Sequence, residues 1–408
     1  MRAAESIMMN NRLQSLQGSG QSIWLDMLSR KLIVSGELKR LIREDWVSGL
    51  TSNPAIFAQA ISDGTGYEDI LEASASRALD AKALYERIAV RDIQDAADAL
   101  ASVYETSDCR DGFVSLEVSP LLARDTEGTV VEARRLWAAV SRANLMVKVP
   151  GTAEGIVAFR RLIGERINVN VTLLFASKVY EQVADAYLAG LESIEPPRCD
   201  LAKVASVASI FVSRVDTAVD RAIGMRADLL RNPREQAVLR SLRGKVAIAN
   251  AKIAYQRYLE SLHTDRWRTL SRRGAQSQRL LWASTGTKNP DYRDVLYIEE
   301  LIGPDTVNTM PPASLVAFRD HGIARLSLTE NLDEARSILD ALGEAGIALK
   351  DITDQLLVEG VQQFSEAFER VLKATGGDGV KATDRRDLKA KGLTTSTAKK
   401  PRKMVSTS

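Results

Sequence analysis

Short apolar runs recur along the chain at 22–26, 49–52, 113–118, 145–149, 168–174, 204–211, 280–285 and 306–310, separated by segments of helical periodicity. Apolar runs of this length read as strands. Several are apolar on both faces, as fully buried parallel strands are. Between them, Leu136, Ala139 and Val140 share a helical face in 131–143, and Val179, Val183, Ala186, Tyr187 and Leu191 share one in 176–192. Strand then helix, repeated about eight times, predicts an α/β protein of the (β/α)8 TIM-barrel class. The competing doubly wound sheet calls for a Gly-rich loop after the first strand, and Asp26-Met27-Leu28-Ser29-Arg30 contains no glycine.

The repeat occupies residues 21–375, and three segments fall outside it. Residues 1–20 are polar and read as a disordered or loosely packed extension. Residues 217–278 are long, charged and helical, an insert between the sixth and seventh strands. Within it 247–262 reads as one helix and 266–278 as a basic loop. Residues 376–408 open with glycines and continue in Lys, Arg, Ser and Thr, including Lys399-Lys400-Pro401-Arg402-Lys403. Such a segment lacks the apolar residues of a core and reads as a disordered, solvated tail rather than an RNA site.

Composition removes several function classes. A net charge of +2 gives no global case for nucleic acid. No apolar run approaches the roughly 18 residues of a membrane span, and the N-terminus lacks the apolar core of a secretory signal. Cys109 and Cys199 form no CxxC pattern, which suggests a reducing, cytoplasmic setting. With only His263 and His321, a histidine-rich metal site or a Ser-His-Asp triad is disfavoured. The chemistry therefore rests on Lys, Asp, Glu, Ser, Thr and Asn.

The fourth run supplies the sharpest candidate: Leu145-Met146-Val147-Lys148-Val149-Pro150-Gly151-Thr152 sets a lysine inside an apolar strand. Burial favours the neutral amine over the ammonium, and a neutral amine attacks carbonyl carbon to form a Schiff base. A lone strand lysine more often snorkels to water. The neighbouring runs reverse that preference, because each carries polar residues: Asp26, Asn53, Glu117, Asn170 with Thr172, and Ser206 with Ser209. A barrel interior is normally filled by branched apolar side chains. Polar groups spread over six strands are costly to bury without a purpose and read as the lining of an active site at the C-terminal mouth.

These motifs resemble the transaldolase family. The resemblance is carried by Trp24-Leu25-Asp26, Gly49-Leu50-Thr51-Ser52-Asn53-Pro54, Ser115-Leu116-Glu117-Val118, Val147-Lys148-Val149-Pro150-Gly151-Thr152, Asn168-Val169-Asn170-Val171-Thr172-Leu173-Leu174-Phe175 and Ser209-Ile210-Phe211-Val212-Ser213-Arg214-Val215-Asp216. They stand in the family's order, one per strand, over roughly 20–375. Trp282-Ala283-Ser284-Thr285-Gly286-Thr287-Lys288-Asn289-Pro290 and Val307-Asn308-Thr309-Met310-Pro311 resemble its longer bacterial branch.

The resemblance implies that Lys148 forms the Schiff base and that Glu117 and Thr172 hold a catalytic water. It gives Asp26 the C4 hydroxyl proton, and Asn53 and Asn170 the substrate hydroxyls or the bound dihydroxyacetone moiety. It sets Ser209 and Arg214 towards the phosphate end, where Lys288 stands in place of the shorter branch's second arginine, and counts Phe211 among the substrate-binding residues. A lysine binds phosphate as a point charge rather than a fork. The implied reaction moves a dihydroxyacetone unit between sugar phosphates in the non-oxidative pentose phosphate pathway. It requires no metal and no organic cofactor, and involves no nucleic acid or membrane partner. Monomer and homodimer both remain open. One alternative is a fructose-6-phosphate aldolase, whose members are shorter and carry tyrosine at the position of Phe211. Another is a barrel that binds sugar phosphate without catalysis.

Overall fold

The computed structural model describes residues 11–62, 66–67, 70, 79–195 and 201–375. Eight parallel strands close into a barrel in chain order: β1 (Gln21–Leu25), β2 (Val47–Thr51), β3 (Phe113–Glu117), β4 (Leu145–Pro150), β5 (Val169–Leu174), β6 (Ser206–Phe211), β7 (Arg279–Ala283) and β8 (Thr306–Met310). β8 pairs back onto β1 from Gln21↔Thr306 to Leu25↔Met310, which closes the sheet and excludes the doubly wound alternative. Each predicted strand is present to within a few residues.

Helices cover the outside. Thr126–Val140 begins five residues before the predicted 131, because the Asp125 side chain accepts from Gly128 N and caps an earlier turn. Ala153–Gly164 starts directly after the Pro150-Gly151 exit from β4, with Thr152 Oγ1 accepting from Gly155 N at 3.0 Å. Ser177–Glu192 follows β5 almost where periodicity placed it. β5 itself is irregular. Its register with β6 shifts between Val171 and Leu174, and Leu173 has φ 59°, a bulge that re-aims side chains just beyond Thr172.

Two expectations are corrected. Residues 11–20 are not loose: they form the helix Arg12–Gly18, capped by Asn11, with Leu13 and Leu16 wholly buried. Two leucines three residues apart suffice to dock one turn of helix, a signal too short for periodicity to register. The basic stretch 266–278 is not all loop, since Asp265–Arg272 is helical with Thr264 as N-cap. Arg266 pairs there with Glu192 and Asp185, so its charges lie on a solvated helix face. The rest of the insert is helical as expected. Its Val246–Leu262 helix is built into the molecule by buried Val246, Ala251, Tyr255 and Tyr258. The tail 376–408 and residues 1–10 lie outside the described residues. No helix among those described is long and apolar enough to cross a membrane.

After β8 the chain forms Pro312–His321, Leu332–Glu344 and finally the 27-residue helix Leu349–Thr375. This last helix packs against Pro54–Ser62, Ala81–Ala99 and Ser213–Asp228, which follow β2 and β6. It therefore crosses the C-terminal end of the barrel rather than joining the outer ring.

Candidate active site

Side chains that bond between non-adjacent strands of a closed barrel must cross its interior, and three such links locate the site. Lys148 Nζ on β4 donates to the Ser52 carbonyl just past β2 at 3.0 Å. Asn170 Nδ2 on β5 donates to Ser115 Oγ on β3 at 3.1 Å. Thr51 Oγ1 on β2 meets Thr309 Oγ1 on β8 at 2.7 Å. Register sets Glu117, Lys148 and Asn170 side by side across β3, β4 and β5, and Thr172 lies two residues further up β5. With a side-chain period of two, Thr172 faces the same interior as Asn170.

Lys148 is buried, 5% exposed, and Glu117 is 8% exposed. Their charged atoms stand 3.9 Å apart, beyond hydrogen-bond length. Burial pushes the Glu117 carboxyl up to about 7, against the pull of Lys148. Neither Glu117 Oε2 nor Thr172 Oγ1 has a hydrogen-bond partner among the described residues, although both atoms are buried. A pair of orphaned oxygens, one acidic and one hydroxyl, beside a buried lysine is an arrangement that stability alone disfavours. Asp26 sits one residue beyond β1, half-buried, with Oδ1 accepting from Thr51 Oγ1 at 2.8 Å. Burial raises its pKa, while Lys148, the Thr51 hydrogen bond, Arg214 and Lys288 draw it back down. The two carboxyls thus share two cationic neighbours, Lys148 and Arg214.

The other predicted residues divide. Ser209 Oγ donates to Asn170 Oδ1 at 2.6 Å, so Ser209, Asn170 and Ser115 form one chain beneath Lys148. Asn53 turns its Oδ1 to Ala55 N and Ile56 N, capping Pro54–Ser62, which leaves its amide nitrogen for other use. Arg214 opens the helix after β6. Its guanidinium lies over the Phe211 ring at 5.0 Å, and it forms no ion pair among the described residues. Lys288 is exposed on the loop after β7, near enough for its charge to act on Asp26. Ser206 does not belong to the mouth. It is the first residue of β6, donates to the Val169 carbonyl and accepts from Gln278 Nε2, at the opposite end of the barrel. Its closeness to Ser209 is misleading, because three residues along a strand change both face and depth. Among the described residues no His, Cys, Asp and Glu cluster has the form of a metal site.

Four further residues take part. Thr51 and Thr309 fix Asp26, and Ser115 anchors Asn170. Thr51, Ser115 and Thr309 are visible in their motifs, but their roles depend on cross-barrel partners. The fourth, Phe364, comes from the far C-terminal helix, with its ring centre 5.8 Å from the Arg214 guanidinium carbon.

The family described as Transaldolase/Fructose-6-phosphate aldolase matches residues 23–375. The chain belongs to that family. Its relatives include a protein named transaldolase from Trichodesmium erythraeum, 44% identical over 369 residues, covering 90% of this chain and 97% of the relative. Another transaldolase, from Thiobacillus denitrificans, is 47% identical over 357 residues, 88% of this chain and 97% of its own length. That from Thermobifida fusca is 47% identical over 365 residues, 89% and 97%. The family match begins within β1 and ends at the last residue of the C-terminal helix, so the mouth and the helix across it both lie inside it.

Proposed function

We propose that this chain is a transaldolase that transfers a dihydroxyacetone unit through a Schiff base on Lys148, from sedoheptulose 7-phosphate to glyceraldehyde 3-phosphate. The products are erythrose 4-phosphate and fructose 6-phosphate, and the reaction is reversible. The observation that carries the reading is the buried Lys148 beside two orphaned oxygens, Glu117 Oε2 and Thr172 Oγ1, with Asp26 across the mouth. The Lys148 amine, once it has given up its proton, adds to the ketose C2 carbonyl. Glu117 and Thr172 hold the water through which protons reach the carbinolamine, and loss of water leaves an iminium. A carboxyl pushed up to about 7 both gives and takes protons at neutral pH, as this role demands. The iminium withdraws electrons, Asp26 takes the C4 hydroxyl proton, and the C3–C4 bond breaks. The aldose phosphate leaves, a three-carbon enamine stays on Lys148, and an incoming aldose phosphate accepts it by the reverse steps. Arg214 and Lys288 receive the phosphate, and Asn53 and Asn170 the hydroxyls. None of these steps calls for a metal or organic cofactor. The setting is cytoplasmic, within the non-oxidative pentose phosphate pathway.

Transferase is favoured over aldolase by the relatives' names at 44–47% identity and by Phe211 in place of tyrosine. The test is to supply fructose 6-phosphate with and without erythrose 4-phosphate and follow free dihydroxyacetone. A transaldolase forms sedoheptulose 7-phosphate and glyceraldehyde 3-phosphate when erythrose 4-phosphate is present and releases little dihydroxyacetone in either case. Steady release of dihydroxyacetone at the rate of fructose 6-phosphate loss would mark an aldolase instead.

A further inference from the structure

Arg214 is held in an unusual way for a buried-site arginine. Its guanidinium carbon lies 5.0 Å from the Phe211 ring centre and 5.8 Å from that of Phe364. Both rings are buried. No hydrogen bond or ion pair of Arg214 occurs among the described residues, although its side chain is half-buried. The planar group is therefore gripped by aromatic faces while its N–H edges are left uncommitted. Phe211 stands on β6, three residues before Arg214, and forms a local platform. Phe364 reaches in from the helix Leu349–Thr375.

That reach depends on how closely the helix approaches the barrel. Gly360 lies one turn before Phe364 on the same face. A Cβ at Gly360 would come within 3.0 Å of Leu173 Cδ2 and 3.6 Å of Phe175 Cζ. Leu173 is the bulged residue of β5, and Phe175 packs on Phe211 at 5.3 Å. The bulge, the glycine and the aromatic contacts thus seat one stretch of the last helix directly over the Arg214 end of the mouth.

We propose that Phe364 is a positioning residue for the phosphate site: it fixes the Arg214 guanidinium by its ring, so that the free N–H edge meets the phosphate of the incoming aldose. This rests on the transaldolase reading above. A free arginine side chain has many rotamers, and ordering it in advance removes that cost from binding. The device matters more here because the second phosphate ligand is an exposed lysine, Lys288, which supplies charge without a fork. A residue acting only through Arg214 has a distinctive signature. It alters affinity for phosphorylated acceptors and leaves unphosphorylated ones alone.

The test compares the full chain with Phe364→Tyr, Phe364→Leu and Phe364→Ala, at saturating sedoheptulose 7-phosphate, using glyceraldehyde 3-phosphate or glyceraldehyde as acceptor. Phe364→Ala should raise KM for glyceraldehyde 3-phosphate about tenfold, the scale of a desolvated cation–π contact, with kcat changed less than about threefold. Phe364→Leu fills similar space without a π face and should behave like alanine, whereas Phe364→Tyr should restore wild-type KM. KM for glyceraldehyde should stay constant throughout. A leucine variant equal to wild type, or equal losses with both acceptors, overturns the proposal and makes Phe364 a packing residue. If the alanine variant does not fold, the leucine–tyrosine comparison decides alone. Borohydride labelling of Lys148 by fructose 6-phosphate keeps the two ideas apart. No labelling in the wild type defeats the transaldolase reading, whereas normal labelling with an unshifted KM in the leucine variant defeats only the role of Phe364.

Discussion

The barrel interior is polar at both ends, and the ends use their polar atoms in opposite ways. At the N-terminal end Arg279 donates to Ser22 Oγ and to the Arg110 carbonyl, both at 2.6 Å, and lies 3.5 Å from Asp111. Asp111 accepts from Trp24 Nε1 at 2.7 Å, from Ser48 Oγ at 2.9 Å and from Ser22 Oγ. Charge meets charge, and every remaining lone pair of the carboxylate is engaged. At the C-terminal end Lys148 has one carbonyl, Glu117 and Thr172 each leave an oxygen orphaned, and Arg214 shows only its faces to the protein. Satisfied polar clusters rigidify a core, whereas unsatisfied ones persist where a ligand completes them. Buried charge by itself therefore does not mark the site, and the unmade bonds do. The contrast is not complete: Gln21 Oε1 and Gln278 Oε1 near the N-terminal end are also unpartnered, but both belong to neutral amides that supply no nucleophile or acid, and the orphaned Asp216 Oδ2 lies on the helix after β6, where its other oxygen accepts from Ala247 N.

Four substitutions test this contrast, ordered by their effect on activity. Lys148→Ala should reduce transfer to background in a coupled assay, because the other amine at the mouth, Lys288, is exposed on its loop rather than buried beside Glu117. Asp26→Ala should slow turnover about 10²–10⁴-fold and accumulate an uncleaved ketose adduct on Lys148 in single-turnover trapping. A three-carbon adduct formed at the wild-type rate would mean that Asp26 is not the cleavage base. Glu117→Gln should slow formation of any adduct by about 10²-fold. It also carries a pH signature. Burial lifts the Glu117 pKa from 4.5 to about 7, so its neutral form favours the fold, a contribution complete below about 4.5 and lost as pH rises through about 7. Glutamine cannot ionise, so urea unfolding should show the variant gaining stability relative to wild type across that window. A stability difference independent of pH would place Glu117 outside the buried environment described. Last, Arg279→Met should cost roughly 3–5 kcal/mol in urea unfolding by stranding Asp111, yet leave kcat of the folded fraction within about twofold. A large loss of kcat there would dissolve the distinction between the two ends.

Strand order, the barrel and the position of Lys148 were legible in the sequence because each rests on local pattern: apolar runs, and one lysine among them. Features that arise only when distant segments meet were not. The Arg279–Asp111 cluster joins residues far apart in sequence, and neither has an apolar context as conspicuous as that of Lys148. Ser206 and Ser209 look alike along the strand, yet closure of the barrel sends one to the base and the other to Asn170. The bulge at Leu173 has no glycine to announce it. Phe364 sits in an ordinary amphipathic helix, and only the path of that helix across the mouth brings it to Arg214. The Arg12–Gly18 helix was missed for the opposite reason, being too short for its period to show.

The central claim is that Lys148, left incompletely partnered at the C-terminal mouth, forms the covalent bond to substrate. Its most direct test is reduction with borohydride in the presence of fructose 6-phosphate, followed by peptide mapping of the wild-type chain. A single stable adduct on the peptide containing Lys148, absent from Lys148→Ala, is the result expected. Label on Lys203, just ahead of β6, or label that survives in Lys148→Ala, would contradict it.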